Sequence, residues 1–170
     1  MRISIVRSHA PGPPKIKLAL PVVSIVLGSL LVLLPVIATV PILPPFGLLM
    51  LIAWRLLRAD LIAPWAGIPL GLVDDLFSGA PLGTAVAGWT VALLIIEAVD
   101  QRVLFRDMWQ DWGIAAGLIL LQLLLGWALG ALVGGIPAPW LLLPQWLCAV
   151  LCYPLAMRCA AWLDRRQRPR

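Results

Sequence analysis

Apolar runs of helix-spanning length alternate with short polar, proline-rich or glycine-rich breaks along the chain. The runs fall at about Leu18–Val40, Pro44–Leu57, Leu61–Phe77, Thr84–Val99, Trp112–Val133 and Trp140–Leu163. About 20 apolar residues cross the hydrocarbon of a bilayer as a helix. The pattern therefore predicts an all-α integral membrane domain over 18–163, a compact bundle of about six transmembrane helices. A basic, proline-rich arm (1–17) precedes it and a basic tail (164–170) follows. The first run is preceded by cations, as a signal peptide would be. At 23 residues it is long for one, however, and no small-x-small cleavage site ends it. Pro35 is expected to kink this run and Pro41, Pro44 and Pro45 to close it. The second and third runs are weaker. Leu48–Leu57 is short and Pro64 and Pro69 interrupt the next, so either could be partly re-entrant.

Composition excludes a soluble globule. The chain is 62% hydrophobic and 12% charged, against about 45–50% and about 25% in soluble domains. A net charge of +5 could suggest a nucleic-acid partner, but its placement points to topology instead. With both termini in the cytoplasm, all 13 cations fall on one side: four in the arm, two at Arg55 and Arg58, two at Arg102 and Arg106, and five from Arg158 to Arg170. The outside turns carry none, as the positive-inside rule requires of short loops. Trp109, Trp112, Trp140 and Trp162 lie at run ends, where amphipathic rings meet headgroups. Trp89, Trp127 and Trp146 lie deeper, where helix packing is their expected use.

The exception to the apolar pattern is Gly71–Gly83, GLVDDLFSGAPLG. Asp74 and Asp75 end the third run, and a charge at a bilayer centre costs about 2.5–3.5 kcal/mol on insertion scales. Such residues face a protein interior or an aqueous rim. The following Ser78, Gly79, Pro81, Leu82 and Gly83 cannot continue a regular helix, so a tight turn is expected there. Two uses of the acids are compatible. One is to satisfy the free N–H groups of a helix starting beyond the turn, where the positive dipole end favours a carboxylate. The other is contact with a partner protein or polar ligand at the outer face.

Other candidate chemistry is sparse. The sequence has no HExxH, GxSxG or phosphate-binding glycine loop. Adjacent Asp74 and Asp75 diverge by about 100° on a helix and cannot face each other as an acid pair. No enzyme activity, cofactor or metal is expected. Cys148, Cys152 and Cys159 share a stripe of the last run and read as small buried hydrophobes, and His9 lies in the arm. Glu97 and Asp100 are expected to pair locally with Arg102 and Arg106 in the polar connection 100–111. Small residues spaced by four, Gly67 and Gly71, Gly113 and Gly117, and Gly126, Gly130 and Gly134, mark faces where helices can approach closely, within the chain or with a partner. No internal repeat is visible, so an inverted-repeat transporter has no support.

With these features on the page, the chain resembles the MreD family, rod-shape-determining membrane proteins of bacterial cell-wall elongation. The resemblance covers the whole plan of about 170 residues and five or six spans. It rests most on Gly71, Asp74, Gly79, Leu82 and Gly83, which match the pattern G-x-x-D-x-x-x-x-G-x-x-L-G. Glu97-x-x-Asp100-x-Arg102 and the WQDW that follows are similar to the proteobacterial branch. The resemblance implies a non-enzymatic multi-pass protein of the inner membrane. It would dock with MreC and link the MreB filament to peptidoglycan synthesis by a shape-determining polymerase and its transpeptidase. It also implies a fold similar to the substrate-binding component of energy-coupling-factor transporters. From another class, a small-molecule-binding transporter subunit would need convergent polar groups. The runs offer Asp74, Asp75, Gln122 and Ser24. A lipid or lipid-precursor handler, its headgroup read by the two acids, is a third reading.

Overall fold

The computed structural model describes residues 15–31, 43–102, 107–134 and 139–167. Among them there are six α-helices and no strand: α1 (Lys15–Leu30), α2 (Phe46–Leu57), α3 (Gly67–Ser78), α4 (Thr84–Arg102), α5 (Met108–Leu132) and α6 (Leu142–Gln167). Short 3-10 turns, Pro64–Ala66 and Pro139–Leu141, lead into α3 and α6. Three helical stretches are long and apolar enough to cross a membrane, Thr84–Arg102, Met108–Leu132 and Pro139–Arg166. The basic arm up to residue 14, the Pro35 kink, 135–138 of the GGIPAP turn and 168–170 lie outside the described residues, as does His9.

The bundle is built round α2. Its sequence FGLLMLIAWRLL has no polar face, and Gly47 through Leu56 are all buried. A helix apolar all round must be covered on all sides; here α1, α6, α4 and α5 cover it. At 12 residues α2 is about 18 Å long, and α3 is the same length. Both are shorter than the roughly 30 Å hydrocarbon layer. The polar chemistry of the fold lies at their ends.

α3 and α4 pack closely against each other. A Cβ on Gly67 would stand 2.8 Å from the Thr90 backbone, and one on Gly71 would stand 2.7 Å from that of Val86. Neither backbone can move without shifting α4. Gly71→Ala is therefore expected to cost about 2 kcal/mol through overpacking, read as a lower unfolding midpoint in mild detergent. Gly117→Ala is the contrast, because nothing lies within 4 Å of its Cβ position. That change should be neutral or slightly stabilising, since alanine is the better helix former.

The later glycines do not pack inside the chain. Among the described residues nothing lies within 4 Å of a Cβ on Gly113, Gly117 or Gly130, and one on Gly126 meets the Thr84 methyl at 3.8 Å. Gly134, expected to extend the packing series, instead follows the end of α5 with φ of +97°, and its N–H donates to the Ala131 carbonyl. α5 and α6 are joined by indoles. Trp146 donates to the Ala116 carbonyl at 2.9 Å, and Trp112 donates to the Val150 carbonyl at 3.1 Å. The second bond has a local cause. Pro154 has no N–H to offer the carbonyl four residues before it, and Trp112 supplies one from across the interface.

The connection expected over 100–111 is shorter in the structure. α4 continues to Arg102, and α5 starts at Met108 behind an Asp107-x-x-Gln110 capping box. The Asp107 N–H donates to Gln110 Oε1 at 3.4 Å. Glu97 also pairs differently from the local expectation. Its partner is Arg55, on α2, and Asp100 lies 3.7 Å from the same guanidinium. The α4 helix aims both carboxylates inward at the end of α2, where a buried guanidinium needs counter-charge more than an exposed Arg102 does. Arg106 lies outside the described residues.

Candidate functional site

The end of the bundle opposite Arg55 is organised by the two aspartates. α3 ends at Ser78 because Gly79 takes the left-handed conformation, φ +65°. Gly83 then takes φ +98° before α4 begins. Both positions suit glycine, which has no Cβ to clash there. The Pro81 carbonyl accepts from the Thr84 N–H at 3.1 Å and from its hydroxyl at 2.7 Å, locking the turn.

Asp75 is only 2% exposed. Its carboxylate accepts the N–H groups of Gly83 (2.9 Å), Ala85 (2.8 Å) and Val86 (3.3 Å). These are donors that a helix start leaves unpaired. Asp75 thus caps α4 from the preceding helix, a cap reaching 8 to 11 residues forward. Asp74 turns the other way. It faces the Ser29 hydroxyl of α1, and its Oδ1 would lie 3.2 Å from a Cβ on Gly47. That is the first turn of α2, whose cap position is Pro45 and which has no side-chain cap. The 100° divergence that forbids a facing acid pair thus sends each carboxylate to a different helix N-terminus, each favourable to negative charge.

Between these helices and α5–α6 lies a half-open cavity of about 290 Å³. Its polar lining is Asp74, Asp75, Ser78, Thr84, Gln122 and Gln145. Trp127, Leu123 and Gly126 of α5 form an apolar wall. The Gln122 amide packs against Gly88 of α4, where a Cβ would collide with Oε1 at 1.6 Å. Gln145 Nε2 donates to the Leu43 carbonyl at 3.0 Å, tying α6 to the segment before α2. The cavity brings Asp74, Asp75 and Ser78 together. Gly79, Pro81, Leu82 and Gly83 shape the turn instead of lining the cavity. Sequence reading missed Gly88, Gly47, Thr84 and Gln145. Gln145 has a visible signal, being an uncharged polar residue inside an apolar run, but the two glycines have none without their neighbours. Among the described residues no group of three or more His, Cys, Asp or Glu side chains could hold a metal.

Among the described residues these features define an all-α fold with three helices of membrane-crossing length and apolarity and a polar cavity at one end of the bundle. No family model matches the chain, no curated protein matches it, and no solved structure matches it.

Proposed function

We propose that the chain is a non-enzymatic, multi-pass component of the bacterial inner membrane that acts by docking partner helices in the cell-elongation complex. All six helices belong to the membrane domain, with α2 and α3 as short inner members and both termini cytoplasmic. The partners are MreC and, through it, MreB and the wall-building polymerase and transpeptidase, as the resemblance of Gly71–Gly83 to MreD implies. The observation that carries a docking role is the open glycine face of α5. Among the described residues nothing lies within 4 Å of a Cβ on Gly113 or Gly117, and small residues on a lipid-facing helix let a second backbone approach closely. The test is mass spectrometry of proteins retained by the tagged chain in mild detergent at native expression. Elongation proteins should be recovered, and Gly117→Leu should deplete them without lowering the amount of the chain itself. Recovery unaffected by that substitution would overturn the docking face.

The cavity favours a second reading, a small-molecule-binding subunit of a transporter. It has the convergent polar groups such a site needs. Under this reading ATPase subunits and a coupling membrane protein would be recovered instead.

A further inference from the structure

We infer that the cleft between α5 and α6 at the arginine-rich end of the bundle seats an anionic phospholipid, its phosphate at Arg158. This goes beyond the docking role. It rests only on the chain being embedded in a membrane, and its test needs no partner.

The cleft has a volume of about 380 Å³ and is lined by Trp109, Trp112, Pro154, Met157 and Arg158, with Asp111 on its α5 wall. Trp109 is 78% exposed and meets Trp112 edge to face at 5.9 Å between ring centres. An exposed indole beside an apolar floor is the arrangement that sits at headgroup level in a bilayer. Arg158 is exposed and has no ion-pair partner among the described residues.

The surface leading to Arg158 fits an acyl chain. Leu143, Leu147, Leu151 and Leu155 are all exposed large apolar residues on α6. A spacing of four drifts by about 40° per step. Leu143, Leu147 and Leu151 with the exposed Pro154 therefore form the row that ends beside Arg158, while Leu155 has turned toward the cleft lined by Leu27, Leu31 and Phe46. From Leu143 to Pro154 the row runs about 17 Å, close to one leaflet of a hydrocarbon layer about 30 Å thick. An apolar track of leaflet length ending in a guanidinium matches a phosphate ester carrying hydrocarbon chains.

Charge around the cleft agrees. Arg165 lies two turns beyond Arg158 on the same face, and Arg166 stacks over Trp162 at 4.0 Å. Asp164, on the same helix, is buried and bonded to Arg58 at 3.2 Å, so it does not oppose an anion at that face. Asp111 is the one acid at the cleft, and it already has an interaction within the protein. Arg158, Arg165 and Arg166 outnumber it on this side of the bundle, so the net charge around the cleft is positive.

The test uses the full chain in nanodiscs of equal phosphatidylglycerol and phosphatidylcholine, followed by native mass spectrometry of lipid retained in mild detergent. Phosphatidylglycerol should be retained about fivefold over phosphatidylcholine, the preference expected of one basic residue near a headgroup. Arg158→Gln should bring the ratio close to one, while Arg158→Lys should keep most of it. Arg102→Gln, removing a cation at the same end of the bundle but outside the cleft, should leave the ratio unchanged. Equal retention of both lipids by the wild-type chain would overturn the inference. So would an unchanged ratio in Arg158→Gln, a loss in Arg158→Lys equal to that in Arg158→Gln, or an equal loss in Arg102→Gln.

Discussion

Asp75→Ala is expected to lower the stability of the folded chain by about 3–5 kcal/mol, the largest single loss at the polar end of the bundle. Three backbone donors lose a charged acceptor at once. A hydrogen bond to a charged group is worth about 1.5–3 kcal/mol net, and a buried donor left unmade costs its desolvation as well. The three are not additive, which holds the total below their sum. Asp75→Asn keeps one acceptor oxygen but turns an amide N–H toward a backbone N–H in place of the other, so it should lose somewhat less than Asp75→Ala. Asp74→Asn should behave differently. That carboxylate is half-buried and faces one hydroxyl, which an amide oxygen can still meet. Its unfolding midpoint should stay close to wild type. Thermal unfolding in detergent and membrane abundance in cells check all three. Wild-type stability in Asp75→Ala would remove the capping role, and a loss of activity at normal abundance in Asp74→Asn would mark Asp74 as a contact for ligand or partner.

At the other end, stripping Arg55 of its counter-charges should be nearly as damaging. Its guanidinium is 2% exposed and donates to Glu97 on α4 and to the Ala59 carbonyl, with Asp100 at 3.7 Å. Glu97→Ala with Asp100→Ala leaves a buried cation uncompensated, and breaking such a pair costs about 3–5 kcal/mol. Adding Arg55→Met should recover most of that loss, because an apolar side chain of similar length needs no partner. A cycle of these variants, followed by unfolding midpoints, isolates the coupling. If Arg55→Met made the double variant worse, the guanidinium would be needed for its bond to Ala59 more than for ion pairing.

The two ends differ in how far they could be read from the chain. The turn after α3 was legible because Gly79, Pro81 and Gly83 act locally, each through its own backbone. The break between α4 and α5 was legible too, though the capping box at Asp107 moves the start of α5 earlier than its apolar run suggests. Glu97 was expected to pair with nearby arginines and instead meets a residue 42 positions away. Nothing in the local sequence could show that, since a carboxylate has no preference among cations until burial makes one of them costly to leave alone. The glycine series shows the same limit. Gly67 and Gly71 repeat the spacing of Gly113 and Gly117, yet the first pair meets the α4 backbone and the second meets open space.

The sequence by itself determined the apolar helical class, the place of the breaks and the presence of two acids at a helix end. These follow from hydropathy, proline and glycine, whose effects are carried by each residue alone. Only the tertiary structure decided that α2 is the buried centre, that Asp75 caps α4 while Asp74 turns to α2, and that Gln122 rests on Gly88. Each of these depends on which helix lies opposite, and that is settled by packing between segments distant in the chain.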